Sequence, residues 1–457
     1  MNSLFIFRRD LRIQDNTAFN AAISNSESIT SVFILDPRQV HSHEYRSQPG
    51  LHFMFESLIE LNAELQKKGG KLYLFYGEAE LVIQNLLDSN NFKAVYFNRD
   101  YTPFSRMRDE KIYNLCKDKK IELKTFHDAL LTSPKDGLKE DKTPYTVFTP
   151  FFKKNSQKIP EKRKTVDSSS KFSNLILDYE KDFSFLLELS QNIPKLEKVA
   201  LKGGRVEGLK LLNNIKNIQN YNSERDIPSL IGTSRLSAHH KFGTVSIRES
   251  YWTAKENLQP DNRFITELYW RDFMTQIGFF FPHVFEGAFK KQYNNIEWEN
   301  DLEKFNAWCA GRTGYPIVDA GMRELNETGL MHNRTRMITA SFLVKDLHID
   351  WRWGEKYFAK KLIDYDPAVN NGSWQWAAST GCDAQPYFRI FNPWLQQIKF
   401  DPECIYIKKW IPELIDFPNK IINDGEKTGF VAGYIKPVVE HSHAKKIAVE
   451  LFSSCGR

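Results

Sequence analysis

DYDPAVNNGSWQW, Asp364 to Trp376, carries two aspartates two apart, two asparagines, a Gly-Ser pair, and Trp374 and Trp376 on either side of Gln375. No simple amphipathic period accounts for it. If the stretch is helical, successive side chains rotate by about 100°, so Trp374 and Trp376 project to nearly opposite faces. One indole then lines a cavity while the other enters the interior. An aromatic core helix capped by an Asx turn would use the same residues, so the surrounding chain has to decide between the two readings.

Working outward, helical periodicity dominates from about Gly203 to the end, clearest at Arg263–Phe281, Asp301–Ala310, Pro316–Thr328, Asn333–Leu347 and Gly354–Asp364. Asn300 and Glu303 have capping-box spacing, Gly311 suits the position just after that helix, and Pro316 suits a first helical turn. The other end of the chain reads differently. Apolar β-rich runs at Leu4–Phe7, Val32–Leu35, Lys71–Tyr76, Lys93–Asn98 and Ile121–Phe126 alternate with helical patterns near Phe53–Lys67, Ala79–Leu87 and Ser105–Lys117. Such alternation predicts a doubly wound parallel sheet, with ligands beyond the strand C-termini. Neither GxGxxG nor GxxxxGK[ST] occurs, so the usual phosphate-cradling loops are missing. The expected fold is an α/β doubly wound parallel sheet domain (1–130), a linker (131–195) and an all-helical domain (196–457). The linker contains SPKDGLKEDKTP and KKNSQKIPEKRKTVDSSSK, whose lysines, Lys153 to Lys164, read as a solvated surface.

Composition narrows the class. At 457 residues and 41 % hydrophobic content the chain can bury two or three cores. A net charge of +6 permits a basic patch for nucleic acid without requiring one. Five cysteines without CxxC spacing suggest neither a disulfide framework nor a metal site, and fit a reducing cytoplasm. No apolar span approaches membrane length.

Four groups of residues carry chemistry. GTSRLS, Gly232–Ser237 with Tyr221 upstream, clusters the hydroxyls of Thr233, Ser234 and Ser237 around Leu236 at a turn that can hold phosphate oxygens or merely cap a helix. Glu267, Trp270 and Met274 share a helical face, where a carboxylate marks a polar cavity or a satisfied core acid. In HNRTRM, Asn333, Arg336 and Met337 share another face. The opening stretch is the fourth.

IFRRDLRIQDN (Ile6–Asn16), GYPIVDAGMREL, MHNRTRM, DYDPAVNNGSWQW and GCDAQPYFRIFNPW occur in this order, and with them the chain resembles the photolyase/cryptochrome flavoproteins over nearly its whole length. The resemblance implies an FAD-binding helical domain. Thr233, Ser234, Leu236 and Ser237 match the family's FAD pyrophosphate grip, with Tyr221 beside it. Arg336 matches a residue facing the flavin, Asp364 and Asp366 match acids near its ring and ribose, and Asn370 matches the residue beside flavin N5. Glu267, Trp270, Asn333, Met337 and Trp376 match the pocket for a flipped pyrimidine dimer, and Arg334 is the candidate phosphate contact. Trp374, Trp351 and Trp298 match the relay that reduces the flavin from the surface.

Relatives repairing (6-4) photoproducts place histidines where Asn333 and Met337 stand, so the resemblance implies light-driven repair of cyclobutane pyrimidine dimers in ultraviolet-damaged DNA. The alternative is a cryptochrome-type blue-light photoreceptor without repair activity. A second, antenna chromophore is implied in the α/β domain: a deazaflavin, a folate or a flavin. Folate is disfavoured because Phe104-Ser105 stands where folate binders often carry Asn-Glu. A cytoplasmic monomer is expected, nucleoid-associated if bacterial.

Overall fold

The computed structural model describes residues 1–162 and 171–455; of the lysine-rich stretch, Arg163 and Lys164 lie outside them. Five parallel strands, β1 (Asn2–Phe7), β2 (Ser28–Leu35), β3 (Leu72–Tyr76), β4 (Ala94–Asn98) and β5 (Glu122–Phe126), pair in the order β3-β2-β1-β4-β5. All five expected strands are present. Leu4, Phe5, Ile6 and Phe7 are all buried, as a central strand covered by helices on both faces requires. The order reverses between β1 and β4, so the crevice beyond their carboxyl ends is where this fold binds ligands.

That end of the sheet meets the helical domain. Leu11 N donates to Phe242 O at 3.0 Å, and Gly243, at φ +67, lies so close to the Arg9 carbonyl that a Cβ would overlap it. Beneath this contact, Asp128 accepts from Arg12 Nη2 and Arg248 Nη2, both at 2.7 Å, and Arg248 Nε also reaches Asp15 at 3.1 Å. IFRRDLRIQDN is thus the seam of the molecule: it leaves the central strand and immediately ties it to the helices.

The expected linker does more than wrap the surface. It forms a helix, Phe148–Asn155, whose Phe148 and Phe151 are buried against the Phe264–Phe280 helix. Further along, Ile29 N donates to Lys171 O at 2.7 Å and Ser173 N to Ile29 O at 3.1 Å. The aromatic side of the Phe264–Phe280 helix needs a cover, and FTPFF supplies it.

One cap differs from the sequence reading. Asp301, not Asn300, caps the Leu302–Cys309 helix, accepting from Glu303 N at 2.8 Å and Lys304 N at 3.0 Å. Asn300 takes a left-handed turn, φ 51, which asparagine tolerates, and its Oδ1 accepts from Asp350 N at 2.9 Å instead. Gly311, at φ +62, and Pro316, opening the Pro316–Thr328 helix, stand where expected. Among the described residues no helix is long and apolar enough to cross a membrane.

Candidate functional site

The stretch Asp364–Trp376 folds as the Pro367–Ala377 helix, with Asp366 as its cap. Its two tryptophans separate as the period demands. Trp374 is buried, edge-on to Phe358 at 4.9 Å and to Trp308 at 6.2 Å, while Trp376 is half-buried. Two glycines let this helix sit close to its neighbours. A Cβ on Gly372 would overlap Met274 Sδ, and one on Gly354 would overlap the Trp374 ring. The Phe264–Phe280 helix, which carries Glu267, Trp270 and Met274, is thereby packed against the opening stretch at Met274.

Several polar atoms here are held in place yet left open. Asn370 Nδ2 donates to the Glu355 carbonyl at 3.1 Å, which fixes the amide while its Oδ1 meets no donor among the described residues. Arg336 Nη2 pairs with Asp364 at 2.9 Å and its Nε donates to Met331 O at 2.8 Å. The hydroxyls of Tyr221, Thr233 and Ser237 have no hydrogen-bond partner among the described residues. Ser234 Oγ accepts weakly from Leu236 N, across a turn set by Arg235 at φ 55, and Leu236 is buried beneath it. A fixed amide acceptor, a neutralised guanidinium and a row of free hydroxyls fit a flavin ring with a phosphate tail. Asp366 differs: besides capping its helix it pairs with Arg9. Burial alone would raise its pKa, but Arg9, Lys241 and Arg271 outweigh it and hold the carboxylate well below the usual range.

A second cluster surrounds Glu267, which is half-buried and ion-paired with Arg225. Trp270 lies flat against Phe148, ring centroids 3.6 Å apart at 8°, so one indole face is covered from behind. Asn333 Nδ2 points at Met337 Sδ, 3.7 Å away. Arg334 is held by Asp226 at 2.8 Å and lies over the Phe400 ring at 4.3 Å, so it is a pinned cation rather than a free one. His332 caps its helix through Nδ1 to Arg334 N, and burial pushes its pKa down to about 4, which keeps it neutral for that role. Of the expected relay, Trp374 and Trp351 are buried on adjacent helices and Trp298 is half-buried, edge-on to Phe452 at 5.8 Å.

Sequence reading missed Arg225, Phe148 and Glu355. Arg225 stands four residues after Tyr221, and its cation lies 5.4 Å from that ring, so helical spacing offered a signal. Phe148 sits in the expected linker and gave none. Glu355 is 4 % exposed, accepts from Asn371 Nδ2 at 2.9 Å, and is pushed by burial up to about 7.

Comparisons with known proteins bear on the family of the chain. A model of DNA photolyase matches residues 3–167, and one of the FAD binding domain of DNA photolyase matches 264–454. A deoxyribodipyrimidine photo-lyase of Alkalihalophilus pseudofirmus is 38 % identical, covering 98 % of this chain and 96 % of that protein. The crystal structure of an archaeal photolyase from Sulfolobus tokodaii with two FAD molecules superposes with a TM-score of 0.89 at 44 % identity, over 99 % of this chain and 100 % of that one. A Synechocystis cryptochrome gives 0.88 at 29 %, over 98 % and 99 %. With both halves matched and the relatives aligned nearly end to end, the chain belongs to the DNA photolyase family.

Proposed function

We propose that this protein repairs cyclobutane pyrimidine dimers in DNA by light-driven electron transfer to a flipped-out lesion. The observation that carries the reading is the Glu267 cluster: a carboxylate fixed by Arg225 shares a helical face with an indole backed by Phe148, on the helix that packs through Met274 against the Pro367–Ala377 helix of Asn370. A lesion inside a duplex must leave the stack to meet a buried donor, so the pocket needs flat apolar walls and a few edge-reading polar groups. Trp270, Trp376 and Met337 serve as walls. Glu267 accepts from base-edge N–H groups and Asn333 reads the same edge, while Arg225 keeps the acid oriented. Arg334 reaches a backbone phosphate by exchanging Asp226 for it, a contact that is salt-dependent and indifferent to sequence.

FAD, when bound, supplies the light-absorbing donor of the electron that opens the dimer. Thr233, Ser234, Leu236, Ser237 and Tyr221 hold its phosphate tail; Arg336, Asp364, Asp366 and Asn370 hold its ring and ribose side. Asn370 orients its acceptor without adding charge. Trp374, Trp351 and Trp298 carry electrons inward from the surface.

A cleft of about 490 Å³ beyond the carboxyl ends of β1 and β2, lined by Arg9, Asp36, Tyr45, Phe104, Glu355 and Tyr365, suits a second chromophore. We take it to be a flavin. The Sulfolobus tokodaii relative holds two FAD molecules, and here Ser105, at the cleft wall, already donates its hydroxyl to Asp100 at 3.1 Å.

The test is blue-light repair by chemically reduced protein on matched oligonucleotides carrying a cyclobutane thymine dimer or a (6-4) lesion, with a dark control. Light-dependent loss of the cyclobutane lesion alone is expected, and Glu267→Ala should lower it at least about tenfold at unchanged FAD content, the effect of one lost charged hydrogen bond. Repair of neither lesion by FAD-loaded protein would reject the reading in favour of a photoreceptor.

A further inference from the structure

Another cleft, of about 330 Å³, opens beyond the carboxyl ends of β4 and β5, on the far side of Asp100 from the chromophore cleft. Nothing in the proposed repair uses it. Its wall is aromatic: Phe97 lies near the end of β4 and Tyr101 follows it, Tyr113 comes from the Pro103–Asp118 helix, and Phe279 is contributed by the helical domain. Arg99, Arg106 and Lys135 also line it, and among the described residues none of the three is in an ion pair. Arg99 Nε donates to Thr125 Oγ1 at 2.7 Å, and Arg106, stacked 4.5 Å over Phe279, donates to its carbonyl at 2.9 Å. The two carboxylates that reach the lining are already committed, Asp100 to Arg9 at 3.0 Å and Asp109 to Arg8 at 2.7 Å. The cleft therefore holds three solvent-exposed cations outside any ion pair among the described residues, with Asp136 the next carboxylate near His127.

His127 adds a polar anchor on the same wall. Tyr101 is buried, and its hydroxyl has His127 Nδ1, 2.9 Å away, as its partner, which fixes the ring. Burial and the neighbouring Arg99 lower the His127 pKa, which favours a neutral imidazole with one donor and one acceptor nitrogen. Its Nε2 meets Arg99 Nη1 at 3.5 Å, a long contact that an anionic oxygen at Arg99 replaces with a charge-assisted hydrogen bond.

We propose that this cleft is a binding site for a nucleoside monophosphate, its phosphate held among Arg99, Arg106 and His127 and its base against Tyr113 and Phe279. The volume is at the small end of ligand sites and suits one mononucleotide. Lys135, at the rim, adds to the field that draws the anion in.

The experiment titrates the FAD-loaded protein against N-methylanthraniloyl-AMP, read by fluorescence polarisation. Saturable binding is expected, displaced by AMP more strongly than by adenosine or inorganic phosphate. The Arg99→Ala/Arg106→Ala double variant should bind at least about tenfold more weakly, a loss equivalent to one charge-assisted hydrogen bond, with its flavin content and melting transition checked against the parent. Tyr113→Leu, which removes a ring and no charge, should weaken AMP and leave phosphate competition unchanged. Three results would each overturn the proposal. They are no saturation; equal affinity in the double variant, or loss instead in Arg46→Ala, which belongs to the chromophore cleft; and displacement by a short single-stranded oligonucleotide more tightly than by AMP.

Discussion

Glu355 links the two halves of the molecule through one side chain. Its carboxylate holds Asn371, its backbone carbonyl holds Asn370, and Tyr45 from the α/β domain approaches it at 3.5 Å. Burial, only partly offset by those hydrogen bonds, lifts its pKa from the ordinary 4.5 to about 7. The folded chain then binds more protons than the unfolded one between those values, so stability falls as pH rises through that window and levels off above it. Glu355→Gln keeps the acceptor for Asn371 and removes the titration. Melts at pH 5, 6, 7 and 8 should show the variant gaining on the parent across the window, by up to about 3 kcal/mol; a constant offset would mean that Glu355 titrates normally. Residues of this kind are hard to read from sequence. Glu267 and Trp270 stood out because an acid and an indole share one helical face, whereas Glu355 is one acid in a helix of mixed charge, and its partners Asn371 and Tyr45 come from distant segments. The same holds for Arg225, which meets Glu267 across 42 residues.

Helices pack at the site because small residues stand where rings cross. Gly354, in the Trp351–Lys361 helix, lies under the Trp374 indole, and a Cβ there would also come within 2.6 Å of Leu343 Cδ2. Alanine is the better helix former by about 1 kcal/mol, but here it drives a methyl into a rigid ring. Gly354→Ala should therefore lose about 1–3 kcal/mol net, seen as a lower denaturant midpoint with altered tryptophan fluorescence. Unchanged stability would show that Trp374 has room to turn. The sequence made most elements legible for the same reason that it hid these contacts. The strand runs at Leu4–Phe7 and Lys93–Asn98, and the Pro316–Thr328 helix with its proline start and glycine stop, are specified by their own residues. The choice between Asn300 and Asp301 as a cap is not local, because it turns on whether Asn300 is needed by Asp350 N. The Phe148–Asn155 helix was hidden by its polar flanks; only the exposed aromatic side of Phe264–Phe280 explains why it forms.

The two domains are joined at the seam by charge as well as by apolar contact. Asp128, Arg12 and Arg248 are 2 %, 2 % and 6 % exposed, and the carboxylate is shared by both guanidiniums. Burial by itself would raise the Asp128 pKa, but the two arginines overcome it and hold the group far below the usual carboxylate range. A carboxylate depressed in the folded state stabilises it above the ordinary aspartate pKa, and that contribution drains away as pH falls through the folded value. The seam should thus persist in moderately acidic solution and fail only in strong acid. Asp128→Asn keeps the shape and removes the charge, leaving two buried cations, of which Arg248 keeps Asp15 as its ion-pair partner. Breaking a buried pair in this way costs about 3–5 kcal/mol, so the variant should unfold at clearly lower denaturant at pH 7, and the difference from the parent should shrink as the pH is taken down. Asp178→Asn, an exposed site, serves as the control. A loss at Asp128 no larger than the control's, or one that does not shrink in acid, would show that apolar packing, not the shared carboxylate, holds the α/β domain to the helices.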